Sequence, residues 1–123
     1  MGCHQALAPR KGTQLTRFDV WLNADAVRDL DELCDYISER DSHRKAAHVL
    51  DRIEEVLERL STLPERGSHP RELLALGIRD CRQVFFKPYR LIYRIVEHQV
   101  YVYLIFDGRR NMQALLVRRL LGA

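Results

Sequence analysis

The stretch YRLIYRIVEHQVYVYLIF, residues 89–106, contains two strands and the turn that joins them. Residues 89–96 alternate so that apolar side chains fall on both faces of a strand, and residues 97–99 form a tight hairpin turn. Residues 100–106, VYVYLIF, are apolar on both faces, which is typical of a central strand. The stretch therefore predicts an antiparallel hairpin whose second strand lies inside the sheet.

Two more strands are predicted upstream of this hairpin. Residues 78–86, IRDCRQVFF, precede it directly and supply the third strand of a meander. Residues 18–22, FDVWL, alternate between apolar and polar side chains and form a short strand near the N-terminus. Between them, Pro64, Gly67 and Pro70 make a surface loop.

Two helices are predicted between the first strand and the loop. Asn23 or Asp25 caps the first helix, Asp41 or Ser42 caps the second, and Pro64 ends it. Since only a few residues join them, the helices form an antiparallel hairpin with an acidic outer surface. The apolar stripes comprise Val27, Leu30, Leu33, Cys34 and Ile37 in the first helix, and Ala46, Val49, Leu50, Ile53, Val56, Leu57 and Leu60 in the second.

The order of these elements predicts an α+β fold. It comprises an N-terminal strand, an α-helical hairpin, a three-stranded antiparallel meander and a short C-terminal helix. Met112, Leu115, Leu116 and Leu120 mark that last helix, and the helical hairpin is expected to cover one face of the sheet. We expect residues 18–121 to form a single domain and residues 1–17 to form a flexible N-terminal extension.

Composition narrows the class of protein. The chain has 123 residues, of which 46% are hydrophobic and 30% charged, so it is expected to fold as a soluble domain. It contains neither a bilayer-spanning apolar run nor the apolar centre of a signal peptide, so we expect a cytoplasmic protein with no membrane contact. The odd number of cysteines, Cys3, Cys34 and Cys81, argues against a disulfide framework. Cys3 beside His4 is too little for a metal site, and we expect no metal and no cofactor.

Charge is distributed unevenly along the chain. Residues 19–65 contain 13 acidic and 6 basic side chains, whereas residues 79–123 contain 9 basic and 3 acidic side chains. Arg109 and Arg110 stand before the last helix, where the helix dipole disfavours positive charge, so an acidic partner or an ion pair with the helical hairpin is expected to offset the cost. Arg118 and Arg119 stand near the helix C-terminus, which favours positive charge, and need no such partner.

Groups for proton transfer are scarce near these arginines. Residues 107–123 contain neither histidine nor tyrosine, and of the five histidines His98, in the predicted turn, is the best catalytic candidate, although a histidine in a turn is more often simply solvated. Nucleotide-binding and metalloprotease motifs are missing from the sequence. We therefore expect a protein that acts by binding, with no catalytic residue. Tyr89, Tyr93, Tyr101 and Tyr103 are expected to pack in the sheet and core rather than to stack on bases.

Four segments in this order resemble the RelE/ParE superfamily of type II toxins, and its ParE-like branch in particular. They are ADAVRDLDELCDYI (24–37), LSTLPERGSHPREL (60–73), LGIRDCRQVFFKPYRLIYRI (76–95) and DGRRNMQALLVRRLL (107–121). The sequence departs from the family pattern at Asn111, where an acidic residue is expected, and at Cys81, where an aromatic residue is common. The resemblance covers residues 18–121 and implies the RelE/ParE fold.

The resemblance implies a toxin that inhibits DNA gyrase by protein–protein binding and is neutralised by a cognate antitoxin in a hetero-oligomer. DNA is then reached only indirectly, through the antitoxin. The gyrase-binding face is expected to include Arg109, Arg110, Met112, Arg118 and Arg119. Antitoxin docking is expected in a groove between the helical hairpin and the sheet, with Val27, Leu30, Ile37 and Leu57 as apolar anchors, although internal packing is the alternative role of these four.

Two other functions stay open. RelE-like members of the superfamily cut mRNA on the ribosome, and here Lys87, Arg90, Arg94 and His98 are the residues that such a site would use. An inert relative that only binds an antitoxin is the third alternative. Cleaved mRNA, double-strand breaks in DNA, or the lack of any phenotype distinguish the three.

Overall fold

The computed structural model of the protein describes residues 5–7 and 17–120. These residues form a mixed sheet with the strand order β1-β2-β5-β4-β3. The strands are β1 (Gln5–Leu7), β2 (Asp19–Leu22), β3 (Cys81–Phe86), β4 (Tyr89–Val96) and β5 (Gln99–Asp107). The helices are α1 (Ala24–Arg40), α2 (His43–Thr62), the one-turn α3 (Arg71–Leu74) and α4 (Met112–Leu120), and a 3-10 turn spans Pro64–Arg66.

The meander of β3, β4 and β5 is antiparallel, as predicted, and β5 lies inside the sheet. The turn between β4 and β5 is one residue shorter than expected, because Gln99 already pairs with Val96 and only residues 97–98 connect the two strands. Glu97 takes a positive φ of 57°, which lets this two-residue turn follow the twist of the strands.

A β-bulge at Tyr103 changes which side chains of β5 face each side of the sheet. Tyr93 pairs with Val102 and Ile92 pairs with Leu104, so Tyr103 is an extra residue in β5. Before the bulge Val102 faces the helical hairpin, whereas Tyr103 and Leu104 both contact the opposite face. The bulge explains how one strand supplies apolar side chains to both layers.

The second neighbour of β5 is β2, which runs parallel to it and pairs Val20 with Val100. The sheet is therefore mixed, with the N-terminal strand lying directly beside the last strand of the meander. A parallel neighbour requires a long connection, and here the helical hairpin followed by β3 and β4 provides it.

The helical hairpin covers one face of the sheet. The Asn23 side chain accepts the Ala26 N–H at 2.8 Å and the Ser42 hydroxyl accepts the Lys45 N–H at 3.0 Å, so of the proposed caps these two are used. The helix α2 ends at Thr62, ahead of Pro64. Between helices and sheet lies the main core, which includes Ala26, Ile53, Leu57, Leu60, Leu91, Tyr93, Val100 and Val102.

The opposite face of the sheet is covered by α4 and by the loop around α3. Leu73, Ile92, Leu104, Phe106, Met112 and Leu116 form this second, smaller cluster. The predicted α+β architecture is thus confirmed, with two covered sheet faces.

The expected N-terminal extension, residues 1–17, falls largely outside the described residues, as do Cys3 and His4. Within it, Gln5–Leu7 pairs antiparallel with β2. None of the helices in the described part of the chain combines the length and apolarity that a membrane span requires.

Candidate interaction site

The connection from β5 to α4 places Arg109 and Arg110 at one end of the sheet. Gly108 allows it, because its N–H donates to Pro88 O at 2.7 Å and a Cβ there would lie 3.1 Å from the Arg90 side chain. Asn111 then caps α4 by accepting the Ala114 N–H at 3.2 Å. Asn111, which stands where the family pattern has an acidic residue, therefore still supplies a side chain that caps the helix.

A groove of about 490 Å³ opens beside this connection, and we call it the Arg109 groove. One wall comes from α1 and the other from the ends of β4 and β5. It is lined by Asp29, Glu32, Leu33, Tyr36, Tyr89, Ile105, Phe106, Asp107, Arg109 and Arg110.

Arg109 is held in place by its neighbour Asp107. The Arg109 backbone N–H and Nε each donate to the Asp107 carboxylate at 2.9 Å, and Nη2 donates to its second oxygen at 2.6 Å. The hydrogen bonds from Arg109 lower the pKa of Asp107, so this carboxylate stays ionised at neutral pH. The Arg109 side chain nevertheless remains 79% exposed, and a partner can reach the guanidinium.

The expected ion pair between the basic region and the acidic hairpin exists, but a different arginine makes it. Arg119 hydrogen-bonds Asp29 of α1 and also donates to Tyr103 O at 3.0 Å. Burial is the largest influence on Asp29 and raises its pKa, although the Ile105 N–H and Arg119 act against it. Since Asp29 and Asp107 already have internal partners, the exposed charges that the groove presents outward are those of Arg109, Arg110 and Glu32.

Two phenol side chains lie in the same groove, which sequence reasoning missed. Tyr89 opposes Asp107 across the β4–β5 pair, and Tyr36 is exposed on α1 with the Arg40 guanidinium carbon 5.0 Å from its ring centroid. Burial, followed by the charge of Asp107, raises the pKa of Tyr89. Tyr89 is therefore a neutral hydrogen-bonding group at physiological pH and a poor general base. The signal that was available is the hairpin register, which places Tyr89 beside the end of β5.

The five residues expected to form the gyrase-binding face are not equivalent in the structure. Arg109 and Arg110 line the groove, and Arg118 is exposed on α4. Met112, in contrast, is 3% exposed because it packs in the second cluster, and Arg119 is engaged by Asp29. Arg109, Arg110 and Arg118 are therefore the members of this set that a partner can reach. Met112 was expected on the binding face, but its burial leaves it no surface to contribute.

The four residues expected to anchor an antitoxin divide in the same way. Ile37 and Leu57 are 7% and 2% exposed in the main core, which is the internal role named as the alternative. Val27 and Leu30 are half-buried at the edge of that core. Antitoxin contact stays a prediction for Val27 and Leu30, and for Ile37 and Leu57 it would require the hairpin to separate from the sheet.

The residues considered for mRNA cleavage are dispersed. Arg90 is buried against Glu72 and Gln83, with its guanidinium carbon 5.6 Å and 5.3 Å from the ring centroids of Phe85 and Phe106. Arg94 pairs with Asp80 at 3.2 Å on the same sheet face.

His98 lies at the other end of the sheet from Arg109 and Arg110. It stacks on Phe18 at the start of β5, whereas Arg109 follows the end of that nine-residue strand. A strand of this length separates the two residues by roughly 30 Å. The structure therefore does not bring His98 to the basic end of the sheet.

Comparison with known proteins gives concordant matches. The family model described as the ParE toxin of the type II toxin–antitoxin system parDE matches residues 20–112. Toxin ParE3 of Caulobacter vibrioides is 34% identical over 91 residues, which cover 74% of this chain and 87% of that protein.

Solved structures share the fold. A chain of the chromosomal ParDE TA system from P. aeruginosa superposes with a TM-score of 0.62 and 16% identity, covering 75% of this chain and 97% of that one. A chain of the toxin–antitoxin complex RelBE2 from Mycobacterium tuberculosis gives a TM-score of 0.54 and 27% identity, covering 76% of this chain and 94% of that one. At 16% identity the first likeness is one of fold alone.

Proposed function

The chain belongs to the ParE toxin family of type II toxin–antitoxin systems, and we propose that it inhibits DNA gyrase in the cytoplasm by binding the enzyme through the Arg109 groove. The family predicted from the sequence is confirmed by the match over residues 20–112. The gyrase target and the surface that engages it are the parts that we propose.

The observation that carries this proposal is the exposure of Arg109 and Arg110 at a fixed position. Gly108 and Asn111 fix the chain on either side of them, while both side chains face solvent. An exposed ion pair such as Arg109–Asp107 adds little to the stability of the fold, because water screens it. Since the fold gains so little from these charges, an acidic surface on a partner is a better account of them.

Binding also fits the groove better than catalysis does. The phenol of Tyr89 has a raised pKa, and a raised pKa disfavours the phenolate that would accept a proton. The Asp107 carboxylate is occupied by Arg109. A surface of this kind supports recognition of a macromolecule through guanidinium groups and a tyrosine.

The proposal is tested with Arg109→Gln/Arg110→Gln, compared with Arg71→Gln/Arg79→Gln, which removes the same charge from exposed positions outside the groove. Inhibition of supercoiling by purified gyrase should weaken at least tenfold in the groove variant and stay within about twofold in the control, because loss of a charged contact costs about 1.5–3 kcal/mol. If the groove variant inhibits gyrase and arrests growth as strongly as the unmodified toxin at equal protein level, the proposal is wrong.

An antitoxin is the second partner that we propose, since both structural neighbours come from toxin–antitoxin systems. The outer edge of β3 supports a site for it. Ser68 exchanges backbone hydrogen bonds with Gln83 there, at 3.1 and 2.7 Å. Because outward-facing groups recur every second residue, the next such N–H and C=O belong to Phe85.

The surroundings of Phe85 favour an extended acidic segment. The Phe85 side chain is 58% exposed, and Arg59 and Arg66 line the adjoining cavity of about 300 Å³. Arg82 sits nearby and donates to Gly67 O at 2.9 Å. A strand added at this edge would gain backbone hydrogen bonds and meet positive charge, whereas a second copy of β3 would bring like charges together.

Amide hydrogen exchange in the toxin–antitoxin complex tests this docking. The Phe85 amide should exchange freely in the toxin alone and become protected when the antitoxin binds, while the Val84 amide, which pairs with β4, is protected in both. A stable complex in which the Phe85 amide still exchanges freely places the antitoxin elsewhere.

The RelE-type alternative is favoured by one observation, the two phenols beside Arg109 and Arg110. Cations and a proton donor are part of what metal-free RNA cleavage needs. Two assays distinguish the gyrase inhibitor from the RelE-type nuclease. Scission of the transcript in a reconstituted translation mixture at low toxin concentration would identify a nuclease. An intact transcript, together with inhibition of purified gyrase, would identify a binding inhibitor.

A further inference from the structure

A second groove, next to the Arg109 groove, lies between α2 and the turn from β3 to β4. Its volume is about 210 Å³, and Tyr89 forms a wall of both grooves. We call it the Lys87 groove. It is lined by Lys45, His48, Val49, Arg52, Phe86, Lys87, Pro88 and Tyr89.

The lining contains three permanent cations and no carboxylate. Lys45 and Arg52 face the groove from α2, at positions two turns apart, which is roughly 10 Å along the helix axis. Lys87 faces them from the two-residue turn that joins Phe86 to Tyr89. Positive charge therefore borders the groove on two sides.

Internal ion pairs do not neutralise these cations. The Lys45–Asp41 and Arg52–Glu55 pairs are long, at 3.8 and 3.7 Å, and all four side chains are more than half exposed. Pairs of this kind are screened by water and open easily. Lys87 makes no ion pair with any residue in the described part of the chain.

The floor of the groove is apolar and aromatic. Val49 and Phe86 are buried beneath it, and Pro88 and the half-buried Tyr89 ring border it. A ligand that suits the site joins negative charge to a flat, partly apolar body. Nucleotides have this chemistry, since phosphates meet lysine and arginine while a base or sugar contacts an aromatic ring.

We propose that the Lys87 groove binds the phosphates of a nucleic acid strand, with Lys45, Arg52 and Lys87 as the phosphate ligands. This inference goes beyond the proposed function because it requires neither gyrase nor antitoxin. It also departs from the expectation that the toxin reaches DNA only through its antitoxin. A single bound nucleotide would use the same phosphate contacts.

The test uses the full-length toxin and fluorescence anisotropy with labelled 12-nucleotide single-stranded DNA, the matching RNA and the DNA duplex. Lys45→Gln/Lys87→Gln is compared with Arg71→Gln/Arg79→Gln, which changes the net charge equally at exposed positions outside the groove. ATP and poly-glutamate serve as competitors. Amide chemical shifts of the unmodified toxin, titrated with the same oligonucleotide, locate the contact without any substitution.

We expect the groove variant to bind at least tenfold more weakly and the control to change less than twofold. Each phosphate contact contributes about 0.7 to the salt dependence of single-strand binding, so the slope of log K against log salt should fall by about 1.4 in the groove variant. Amide shifts should cluster at Lys45, Arg52 and Lys87. Competition by ATP, with the shifts at the same residues, would support the phosphate site and identify a free nucleotide as its ligand.

Three results would overturn the inference. Equal weakening in both double variants would mean that only net charge matters. Competition by poly-glutamate as strong as by the oligonucleotide would identify an acidic protein as the ligand. Anisotropy and amide shifts that stay unchanged with all three nucleic acids would show that the Lys87 groove does not bind nucleic acid. Inhibition of gyrase is measured separately, so the proposed function can stand or fall without affecting this result.

Discussion

The Asp29 carboxylate in α1 hydrogen-bonds the guanidinium of Arg119 in α4, 90 residues further along the chain. The other carboxylate oxygen of Asp29 accepts the Ile105 N–H of β5 at 3.0 Å. One side chain therefore joins the layers on the two faces of the sheet through the strand between them. The arginine that sequence analysis placed on a binding face is part of the fold.

Loss of this ion pair should destabilise the domain. We expect Arg119→Met to lower the free energy of unfolding by about 2 kcal/mol, because the half-buried Asp29 carboxylate loses a charged hydrogen-bond partner. Urea unfolding at pH 7 measures the effect, with Arg118→Met on the exposed side of α4 as the control. Equal stability of the two variants would contradict this role of Arg119.

The pH dependence of the same pair has a definite sign. Burial raises the pKa of Asp29 above its ordinary value of 3.8, so the folded state binds this proton more tightly than the unfolded state does. The contribution of Asp29 to stability is then greatest below pH 3.8 and declines as pH rises through the folded-state pKa. Unfolding of the parent chain and of Asp29→Asn, compared from pH 3 to 7, should show the Asn variant gaining relative stability with pH. A difference that stays flat, or reverses, would disprove it.

Replacement of Arg90 by lysine should destabilise the domain. Its guanidinium donates to Glu72 at 3.1 and 3.2 Å and to Gln83 at 3.0 Å, between the rings of Phe85 and Phe106. A lysine ammonium cannot reproduce this planar arrangement, and we expect Arg90→Lys to cost about 2 kcal/mol in thermal or urea unfolding. The matched change Arg94→Lys, at the exposed pair with Asp80, should cost less than about 0.5 kcal/mol.

The hydroxyl of Tyr93 should hold the loop that follows α2. It donates to Pro64 O at 2.6 Å and accepts the Gly67 N–H at 3.1 Å, and Tyr93 is fully buried. Tyr93→Phe leaves both backbone groups without this partner, so we expect a loss of about 1–3 kcal/mol and faster exchange of the Gly67 amide. Tyr101→Phe, at a half-buried position, is the control and should leave that amide unchanged.

Two substitutions of Tyr89 should distinguish a binding surface from a catalytic site. If the toxin binds gyrase, Tyr89→Phe keeps the ring and should alter growth arrest less than about twofold, whereas Tyr89→Ala should weaken it markedly. A proton-donating phenol would show the opposite ranking, with Phe nearly as damaging as Ala. Growth arrest at matched expression, together with transcript integrity, separates the two outcomes.

Local signals predicted most of the fold. The apolar periodicity of residues 89–106 and the stop before Pro64 depend on neighbouring residues, so they can be recognised without tertiary information. Each helix cap could be narrowed to two candidates in the same way, and the structure uses Asn23 and Ser42. The bulge at Tyr103 and the parallel pairing of β2 with β5 depend on how distant segments meet. Neither leaves a pattern in the adjacent sequence.

The candidate site was harder to predict for the same reason. An apolar stripe shows that Ile37, Leu57 and Met112 belong on a helix face, but only packing decides that the sheet covers that face. Position relative to the last helix led the sequence analysis to expect an ion-pair partner for Arg109 and none for Arg119, whereas in the fold Arg119 is the one that pairs with the helical hairpin. Their roles differ because α4 crosses the sheet so that Arg119 reaches Asp29 while Arg109 remains at the mouth of the groove.

The parallel pairing of β2 with β5 also determines when, during synthesis, the chain can complete its core and the Arg109 groove. Val20 has no sheet partner in the meander until Val100 has been made, so a nascent chain leaving the ribosome cannot close its core around the helical hairpin before β5 emerges. The groove that presents Arg109 is built from the end of that same strand. Its assembly is consequently deferred until after translation of β5, so a chain that is still short of this strand cannot present Arg109 and Arg110 in a formed groove.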